Sequence, residues 1–380
     1  MSILNIEVIE SLGNIPADQW YQLIRNNNPF LEYEFLVQLE QCHCLDGHGW
    51  YPRHIILEQD GMLTGVLPLY LKDNSIGEFV FDWSWAEAYE RAGGHYYPKM
   101  VSAVPFTPVT GPRFLVRKDC NNPDEIRSQL LVAALQFTKQ SGSSGIHFLF
   151  PDEQDVNYLS SHGLMLRCAC QYHWYNNGYE SFNHFLASLN AKKRKQIKRE
   201  RNKVLDSGID IEILHGHDIT PRHWDTYYRF YASTFYRKWG APRFTPAFFQ
   251  SLARLMPDET LLIMAKHNNE YIAGAFAMCG GDTLYGRHWG CSNRYRFLHF
   301  ELCYYQTIEY CIRHGLKKLD AGVQGEHKIS RGFVPVTTWS AHWIADELFR
   351  PAIEQFLCEE KYHIEQYMHE LSKHLAYKVI

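Results

Sequence analysis

The chain has 380 residues, of which 46% are hydrophobic and 21% are charged, and its formal net charge is −4. A length of 380 residues exceeds the usual size of a single hydrophobic core, so two domains are expected. The net charge excludes a protein that is cationic over its whole surface. No DNA partner is therefore expected, and any polyanion must bind a local basic patch.

The composition also constrains the compartment and the metal content. The first ten residues lack the basic and apolar regions of a secretory signal, and no segment approaches the roughly 20 apolar residues of a membrane span. The ten cysteines fall partly in strand and helix patterns, which indicates a reduced, cytoplasmic protein. The two cysteine clusters, residues 42–44 and 168–170, have C-x-C spacing, so no metal site is expected.

The same order of elements is predicted in both halves of the chain: a hairpin, a helix and a short buried strand. In the first half these are residues 53–71, 124–139 and 146–150, and in the second half residues 261–278, 299–314 and 318–320. Each helix ends at a turn of small residues. The repeated order predicts two copies of one α/β unit.

A basic helix is predicted between the halves, over residues 186–205. Its residues 192–203 contain eight Lys and Arg and one acid, Glu200. An anionic partner, namely RNA, the phosphates of CoA or anionic lipid, would ease the repulsion among these cations, although a solvated helix face is the commoner explanation of such a run. No aromatic residues alternate with the cations, so stacking on single-stranded nucleic acid is not indicated. A further helix is predicted over residues 351–377.

The loop after the predicted strand 318–320 carries five polar side chains: Gln324, Glu326, His327, Lys328 and Arg331. Its two glycines allow a ligand to approach the main chain. Glu326 and His327 are candidates for a general base, and Lys328 and Arg331 for contacts with phosphate or carboxylate. A surface loop with solvated charges is the alternative, but the preceding buried strand favours a functional loop.

The helix 299–314 is apolar nearly all round except for His299 and Glu301. A carboxylate buried there is expected to be paired or to have a raised pKa. Glu301 is therefore a candidate either for catalysis or for an ion pair with Lys328 or Arg331. Arg294 and Arg296 precede the helix and, together with its N-terminal amides, predict a pyrophosphate site.

A second group of candidates lies in the first half. The proline-rich segment 105–113 ends in Arg113, and Asp82 and Trp83 stand in an aromatic stretch upstream. A stiff segment loses little freedom on binding, so these residues predict a cleft for a peptide-like or sugar-peptide ligand. A rigid loop packed on the core is the alternative.

Taken together, these motifs resemble the Fem-like branch of the Gcn5-related N-acyltransferase (GNAT) superfamily, and more closely the bacterial FemAB-like family of peptidoglycan biosynthesis and recognition. The segments that carry the resemblance are 105–113, 190–201, 285–290, 297–306 and 325–333. The resemblance implies an α/β (α+β) fold of tandem GNAT-like domains. The expected limits are an N-terminal domain at 1–180, a basic connecting helix at 181–206, a C-terminal domain at 207–346 and a C-terminal helix at 347–380.

The resemblance also implies an N-acyltransferase or N-aminoacyltransferase acting on an amine of a cell-wall precursor, peptide or small metabolite. The donor is expected to be acyl-CoA, or an aminoacyl-tRNA bound through the basic helix. The superfamily's R/Q-x-x-G-x-G/A signature is replaced by residues 293–299, which leaves the donor open. The rival interpretations are a non-catalytic protein that recognises peptidoglycan fragments and an RNA-binding module.

The roles expected under this interpretation fall into three groups. The base is Glu326 or His327, with Glu301 as its alternative or orienting partner. The substrate contacts are Arg113, Asp82, Trp83, Trp289, Lys328 and Arg331. The contacts with the phosphates of the donor are Arg294, Arg296, Lys195 and Arg199.

Overall fold

A computed structural model describes residues 4–24, 27–237, 240–293, 295–323 and 325–378. The chain forms two compact units. Unit one comprises Met1–Ala169 and Thr337–Glu365, and unit two comprises Cys170–Val336 and Gln366–Ile380. Both units are discontinuous in sequence, whereas the predicted domain limits are continuous, because the last strand and the last helix each contribute residues to both units.

The strands are β1 (Leu4–Ile9), β2 (Trp50–Pro52), β3 (His54–Gln59), β4 (Met62–Leu67), β5 (Tyr70–Lys72), β6 (Lys99–Ser102), β7 (Leu115–Val116), β8 (Gly145–Leu149), β9 (Met165–Tyr175), β10 (Ile209–His215), β11 (Thr260–His267), β12 (Glu270–Gly280), β13 (Thr283–Cys291), β14 (Lys318–Asp320) and β15 (Val334–Ile344).

The α-helices are α1 (Ala17–Tyr21), α2 (Tyr33–Gln41), α3 (Trp83–Arg91), α4 (Pro123–Gln140), α5 (Glu153–Ser161), α6 (Phe182–Ser188), α7 (Ala191–Leu205), α8 (Pro221–Tyr236), α9 (Pro246–Leu255), α10 (Leu298–Phe300), α11 (Gln306–Arg313) and α12 (Arg350–Ser372). A π-helical turn, Glu301–Tyr305, connects α10 to α11, and 3-10 turns occur at Leu12–Asn14, Gly216–Asp218 and Glu326–Arg331. Among the residues that the structure describes, none of the helices combines the length and the apolar character that a membrane span requires.

In unit one, β1, β3, β4 and β7 form an antiparallel sheet, and other strands pair in the order β15–β8–β6–β5–β2. Helix α4 begins at Asn122, whose side chain accepts a hydrogen bond from the amide of Glu125, as an N-cap residue should. Its buried residues Ile126, Leu130 and Ala134 pack with strand residues in one hydrophobic cluster. The predicted helix 124–139 and the hairpin β3–β4 are therefore present.

The sheet of unit one also buries a row of titratable side chains. Lys72 on β5 lies opposite Lys99 on β6, and His147 on β8 lies opposite His342 on β15. On β6, Lys99 is two residues from Val101, and Val101 lies opposite His147 of β8. Because alternate residues of a strand share a face, these four side chains lie on one face of the sheet.

The two histidines of this row are joined by a hydrogen bond between their Nδ1 atoms, which lie 2.6 Å apart. One nitrogen must donate and the other accept, so at least the accepting ring is neutral. Burial lowers the pKa of His147 to about 3, an effect to which nearby Lys99 adds and which Asp82 opposes. Burial also lowers the pKa of His342 well below 6.5, with contributions from His147 and Arg167.

The neutral pair predicts a loss of stability in acid. Below pH 6.5 an unfolded histidine binds a proton that the buried ring cannot bind, so the free energy of unfolding falls as the pH decreases. The unfolded chain of His342→Asn has one histidine fewer and therefore binds one proton fewer in acid. The difference in the free energy of unfolding between wild type and variant should therefore change by about 1.4 kcal/mol per pH unit between pH 6 and pH 5, as measured by urea unfolding. Substitution of the exposed His363 by Asn provides the control. If the free energy of unfolding had the same pH dependence in His342→Asn as in wild type, the prediction would be contradicted.

In unit two the strands pair in the order β10–β11–β12–β13–β14–β9. The predicted hairpin is β11–β12, and the predicted strand 318–320 is β14. The predicted helix 186–205 is divided into α6 and α7, because Leu189 is extended and the side chain of Asn190 caps a new helix by accepting from the amide of Lys193. The predicted helix 299–314 is interrupted by the π-helical turn. Such turns insert a residue into a helix and occur often at functional sites.

Candidate functional site

The candidate site lies where the parallel pairing of β13 and β14 ends. The two strands pair only from Thr283–Lys318 to Tyr285–Asp320. Beyond this point β13 contains a bulge, because Phe276 of β12 lies opposite His288 whereas the next residue, Ala277, lies opposite Gly286. The extra residue is Arg287. A bulge interrupts the hydrogen-bond ladder and redirects a side chain, which opens this end of the sheet to polar groups.

Asp320 and Lys328 are both buried at the end of β14. The Oδ1 atom of Asp320 accepts from the amide of Gly322 at 2.8 Å, and its Oδ2 lies 3.6 Å from Nε2 of His173. The Nζ atom of Lys328 donates to the carbonyl oxygens of Ala321 and Gly322 at 2.6 and 3.0 Å. An ammonium group has three N–H donors, so these two carbonyls leave one donor.

The electrostatics around Lys328 are set mainly by burial. Desolvation lowers the pKa of Lys328 to about 8, although the nearby Asp320 carboxylate favours the charged form. Desolvation also lowers the pKa of Arg287 to about 10, again opposed by Asp320. The carboxylate therefore partly neutralises the buried Lys328 and the half-buried Arg287.

His327 lies beside Lys328 in sequence but is exposed. Its Nε2 lies 2.9 Å from the hydroxyl of Tyr304. The pKa of His327 is lowered by partial desolvation and then by the charges of Arg331 and Lys328, so its imidazole is mainly neutral at pH 7. The ring of His299 is 6.1 Å away, and burial lowers its pKa to about 4. Two neutral imidazoles therefore lie close together here, with their rings inclined at 69°.

The two carboxylates predicted as catalytic, Glu326 and Glu301, have different surroundings. Glu326 is exposed, and its Oε1 accepts from the hydroxyl of Tyr367 at 2.9 Å. Glu301 is buried, as predicted, and its Oε1 accepts from Arg201 and from Gln306. The prediction that Glu301 pairs with Lys328 or Arg331 is wrong. The real partner is on α7, which periodicity within the 299–314 segment could not reveal.

Arg331 instead pairs with Glu200, the lone acid of the basic helix. Its Nη2 lies 3.0 and 2.9 Å from the two carboxylate oxygens, and both side chains are buried. The guanidinium also lies 3.5 Å from the centre of the Phe300 ring. Nη1 donates to the main-chain oxygen of His327 at 2.7 Å. Arg331 thus connects the 326–331 turn to α7 and to the interrupted helix.

The outward side of α7 lines the basic groove, a depression of about 460 Å³. The residues of the basic groove are Lys195, Lys198, Arg199, Asn202, Lys203, Asp206, Arg296 and Phe297. The structure therefore brings together three of the four predicted phosphate contacts, Lys195, Arg199 and Arg296. Arg294, the fourth, lies outside the described residues, as does Gln324.

The remaining predicted substrate contacts lie apart from this cluster in sequence. In unit two, the ring of Trp289 is 5.0 Å from that of His299. In unit one, Asp82 is buried and accepts from Lys99 and from the hydroxyl of Tyr96, whereas Trp83 is exposed. Arg113 is buried and donates to main-chain oxygens of unit one, at positions 109, 149 and 150.

Several residues of the site were not singled out from sequence: Arg287, His173, Asp320 and Tyr304. Arg287 stands in the 285–290 motif, but a bulge leaves no reliable mark in a single sequence. His173 and Asp320 belong to different strands, β9 and β14, that pair antiparallel. Glu200 was noted only as an exception among cations. Its spacing of three from Ile197 and four from Val204 is the helical signal that it faces inward.

Comparison with known proteins agrees with this architecture. The FemAB_like family model, described as peptidoglycan biosynthesis/recognition, matches residues 11–379. The solved structure of FemX has a TM-score of 0.55 at 14% identity, over 92% of this chain and 100% of that chain. L-PGS from Bacillus licheniformis has a TM-score of 0.53 at 12% identity, over 87% and 95% of the two chains.

A conserved protein of unknown function from Bacteroides thetaiotaomicron has a TM-score of 0.51 at 10% identity, over 90% of this chain and 99% of that chain. No curated protein sequence matches this chain. The structural matches and the two compact units confirm the predicted α/β (α+β) fold class.

The Arg201–Glu301 pair yields a prediction about stability. Arg201→Met leaves the Glu301 carboxylate buried without its cation, so the free energy of unfolding should fall by about 3 kcal/mol. The double variant Arg201→Met/Glu301→Gln removes the unpaired charge and should recover much of that loss, as measured by urea unfolding of the full double-mutant cycle. Lys195→Met, at an exposed position of the same helix, should change stability by less than about 0.5 kcal/mol. Equal losses in the single and double variants would disprove the pairing.

Proposed function

The chain belongs to the FemAB-like family of peptidoglycan biosynthesis and recognition, and on this premise we propose that it is a cytoplasmic N-acyltransferase or N-aminoacyltransferase. It would transfer an acyl group from a CoA thioester or an aminoacyl-tRNA to an amine of a cell-wall precursor, peptide or small metabolite. The observation that carries the proposal is the placement of an exposed, neutral His327 next to a buried, cationic Lys328 at the end of β14.

The reaction needs a base and a group that stabilises negative charge. The attacking amine forms a C–N bond with the acyl carbon and loses a proton, while the bond from the acyl carbon to the thiol sulfur or ribose oxygen breaks. His327 is the proposed base, since its imidazole is neutral at pH 7 and is oriented by the hydroxyl of Tyr304. The proton it accepts can then be returned to the leaving group.

Lys328 is the proposed stabiliser of the oxyanion. Its ammonium is fixed by the carbonyl oxygens of Ala321 and Gly322, and it retains one N–H donor for a developing negative charge. A fixed donor in a site shielded from water is worth far more than the same donor in solution. Arg287, kept charged by the neighbouring Asp320, adds positive potential.

Glu326 and Glu301 take supporting roles in this proposal. Glu326 fixes the start of the 326–331 turn through Tyr367. The Oε1 atom of Glu301 accepts from Arg201 and Gln306, so we propose that Glu301 is an orienting residue rather than the base. Arg331 likewise has a supporting role, because its guanidinium is bound to Glu200.

The donor would bind at the basic groove. Lys195, Arg199 and Arg296 place three cations around one depression, which suits a pyrophosphate or an RNA backbone alike. In unit one, the exposed ring of Trp83 is a proposed ligand contact, whereas Asp82 and Arg113 are buried and hydrogen-bonded, so a structural role within that unit is proposed for both.

Removal of the base tests the catalytic part of the proposal. His327→Ala should lower kcat for acyl transfer roughly 100-fold, measured with acyl-CoA and with charged tRNA as separate donors. His162→Ala, at an exposed position of unit one, is the matched control and should retain full activity. Full activity of His327→Ala would overturn the assignment of the base. A rise in melting temperature with muropeptides alone, without turnover of either donor, would favour a recognition protein.

The pH dependence tests Lys328 separately. Activity requires neutral His327, so it should rise with pH through a midpoint below 6.5, and it requires protonated Lys328, so it should fall through a midpoint near pH 8. In Lys328→Arg the cation persists at all accessible pH values, so the alkaline decline should disappear while the acidic limb remains. The measurement is the pH profile of kcat/KM. An unchanged alkaline limb in Lys328→Arg would exclude Lys328 as its source.

A further inference from the structure

Helix α7 has two chemically different faces. Its outer face carries exposed cations, among them Lys195 and Arg199, which line the basic groove. Its inner face carries Glu200, which is only 2% exposed, beside the buried apolar residues Ile197 and Val204. One rigid element therefore reaches both the proposed donor site and the interior of unit two.

The carboxylate of Glu200 is fully used inside unit two. Nη2 of Arg331 approaches both oxygens, Nε2 of Gln196 donates to Oε1 at 2.9 Å, and the hydroxyl of Tyr305 donates to Oε2. A buried carboxylate with this many donors is held in one position. Glu200 is therefore a fixed point to which other groups are attached.

Arg331 transfers this fixed position to the turn that carries His327. Its Nη1 donates to the main-chain oxygen of His327 at 2.7 Å, and its Nε donates to the hydroxyl of Tyr305 at 3.0 Å. The main chain of His327 is thus two hydrogen-bonded steps from the carboxylate of Glu200.

The turn has glycines at both ends. Gly325 and Gly332 have φ values of 105° and 91°, which is a region that favours glycine. Backbone hydrogen bonds within the turn, among them Lys328 N–H to the carbonyl of Gly325 at 3.0 Å, fix its internal shape but not its placement in unit two. The position of the 326–331 turn therefore depends on side-chain contacts, of which the Arg331–Glu200 pair is the most buried.

We propose that Glu200 is a positioning residue that couples occupation of the basic groove to the placement of His327. An anion in the groove relieves the repulsion among the cations of α7 and so stabilises the helix. A more stable α7 holds Glu200, and through Arg331 the 326–331 turn, more firmly. The catalytic meaning of this coupling rests on the proposed function, but the coupling itself does not.

Hydrogen exchange of the full chain, followed by mass spectrometry with inorganic tripolyphosphate as the probe, tests the coupling. In wild type, tripolyphosphate should slow the exchange of amides in Ala191–Leu205 and, about fivefold or more, in Glu326–Arg331. In Glu200→Gln the first effect should remain and the second should be lost. Protection of both segments in Glu200→Gln would overturn the proposal, as would protection of only Ala191–Leu205 in wild type.

Two further variants complete the design. Glu200→Gln leaves Arg331 buried and unpaired, so Glu200→Gln/Arg331→Met, which removes both charges, provides a second test in which the fold is spared an unpaired cation. In this double variant tripolyphosphate should still slow exchange in Ala191–Leu205 but should no longer slow it in Glu326–Arg331. Lys195→Glu/Arg199→Glu should lose both responses, and a persisting response of Glu326–Arg331 there would show that the probe acts elsewhere.

Kinetics separate this inference from the proposed function. If the protein transfers acyl groups as proposed, Glu200→Gln should lower kcat while leaving the KM for the donor within about twofold, and Lys195→Glu/Arg199→Glu should raise that KM. A raised donor KM with unchanged kcat in Glu200→Gln would contradict a positioning role. Absence of any turnover would refute the proposed function and leave the exchange result as the test of the coupling.

Discussion

The burial of two carboxylates against two guanidinium groups is the constraint on which the site in unit two depends. Consecutive residues of α7, Glu200 and Arg201, carry opposite charges, and each meets its opposite in Arg331 and Glu301. Consecutive residues of a helix point about 100° apart, so only one rotation of α7 satisfies both pairs. A helix with an otherwise uniform charge is thereby fixed in register by its single acid and the residue after it.

Unit one uses burial of charge in a different way. Lys99 is fully buried between Glu78 and Asp82, and Lys99 and Asp82 both stay ionised because each lowers the cost of burying the other. Burial raises the pKa of Glu78 to about 7. Asp82 is buried beside Lys99, whereas its sequence neighbours Phe81 and Trp83 are exposed, at 56% and 45%.

The sequence was sufficient where the structure is determined locally. Helix α4 and strand β14 lie where the periodicity and the small-residue turns place them, because an N-cap, a stripe of apolar residues and a glycine turn act over a few residues. The break between α6 and α7 was missed, although Asn190 is a favourable N-cap residue, because the apolar stripe continues across it. The partner of Glu301 was beyond reach, since it lies on a helix distant in the chain. The bulge at Arg287 lies between the neighbouring strands β12 and β13, but a bulge leaves no reliable mark in a single sequence.

The same distinction between local and tertiary information explains why the loop 322–331 could be selected but its roles could not be assigned. His327 and Lys328 are adjacent, and in a 3-10 turn adjacent residues point about 120° apart. One side chain is therefore exposed beside Tyr304, while the other enters the end of β14 beside Asp320. Pairs of groups whose environments separate their protonation states suit the two roles of base and cation that we propose for His327 and Lys328. That separation arises from the turn's orientation on the sheet, which only the folded chain defines.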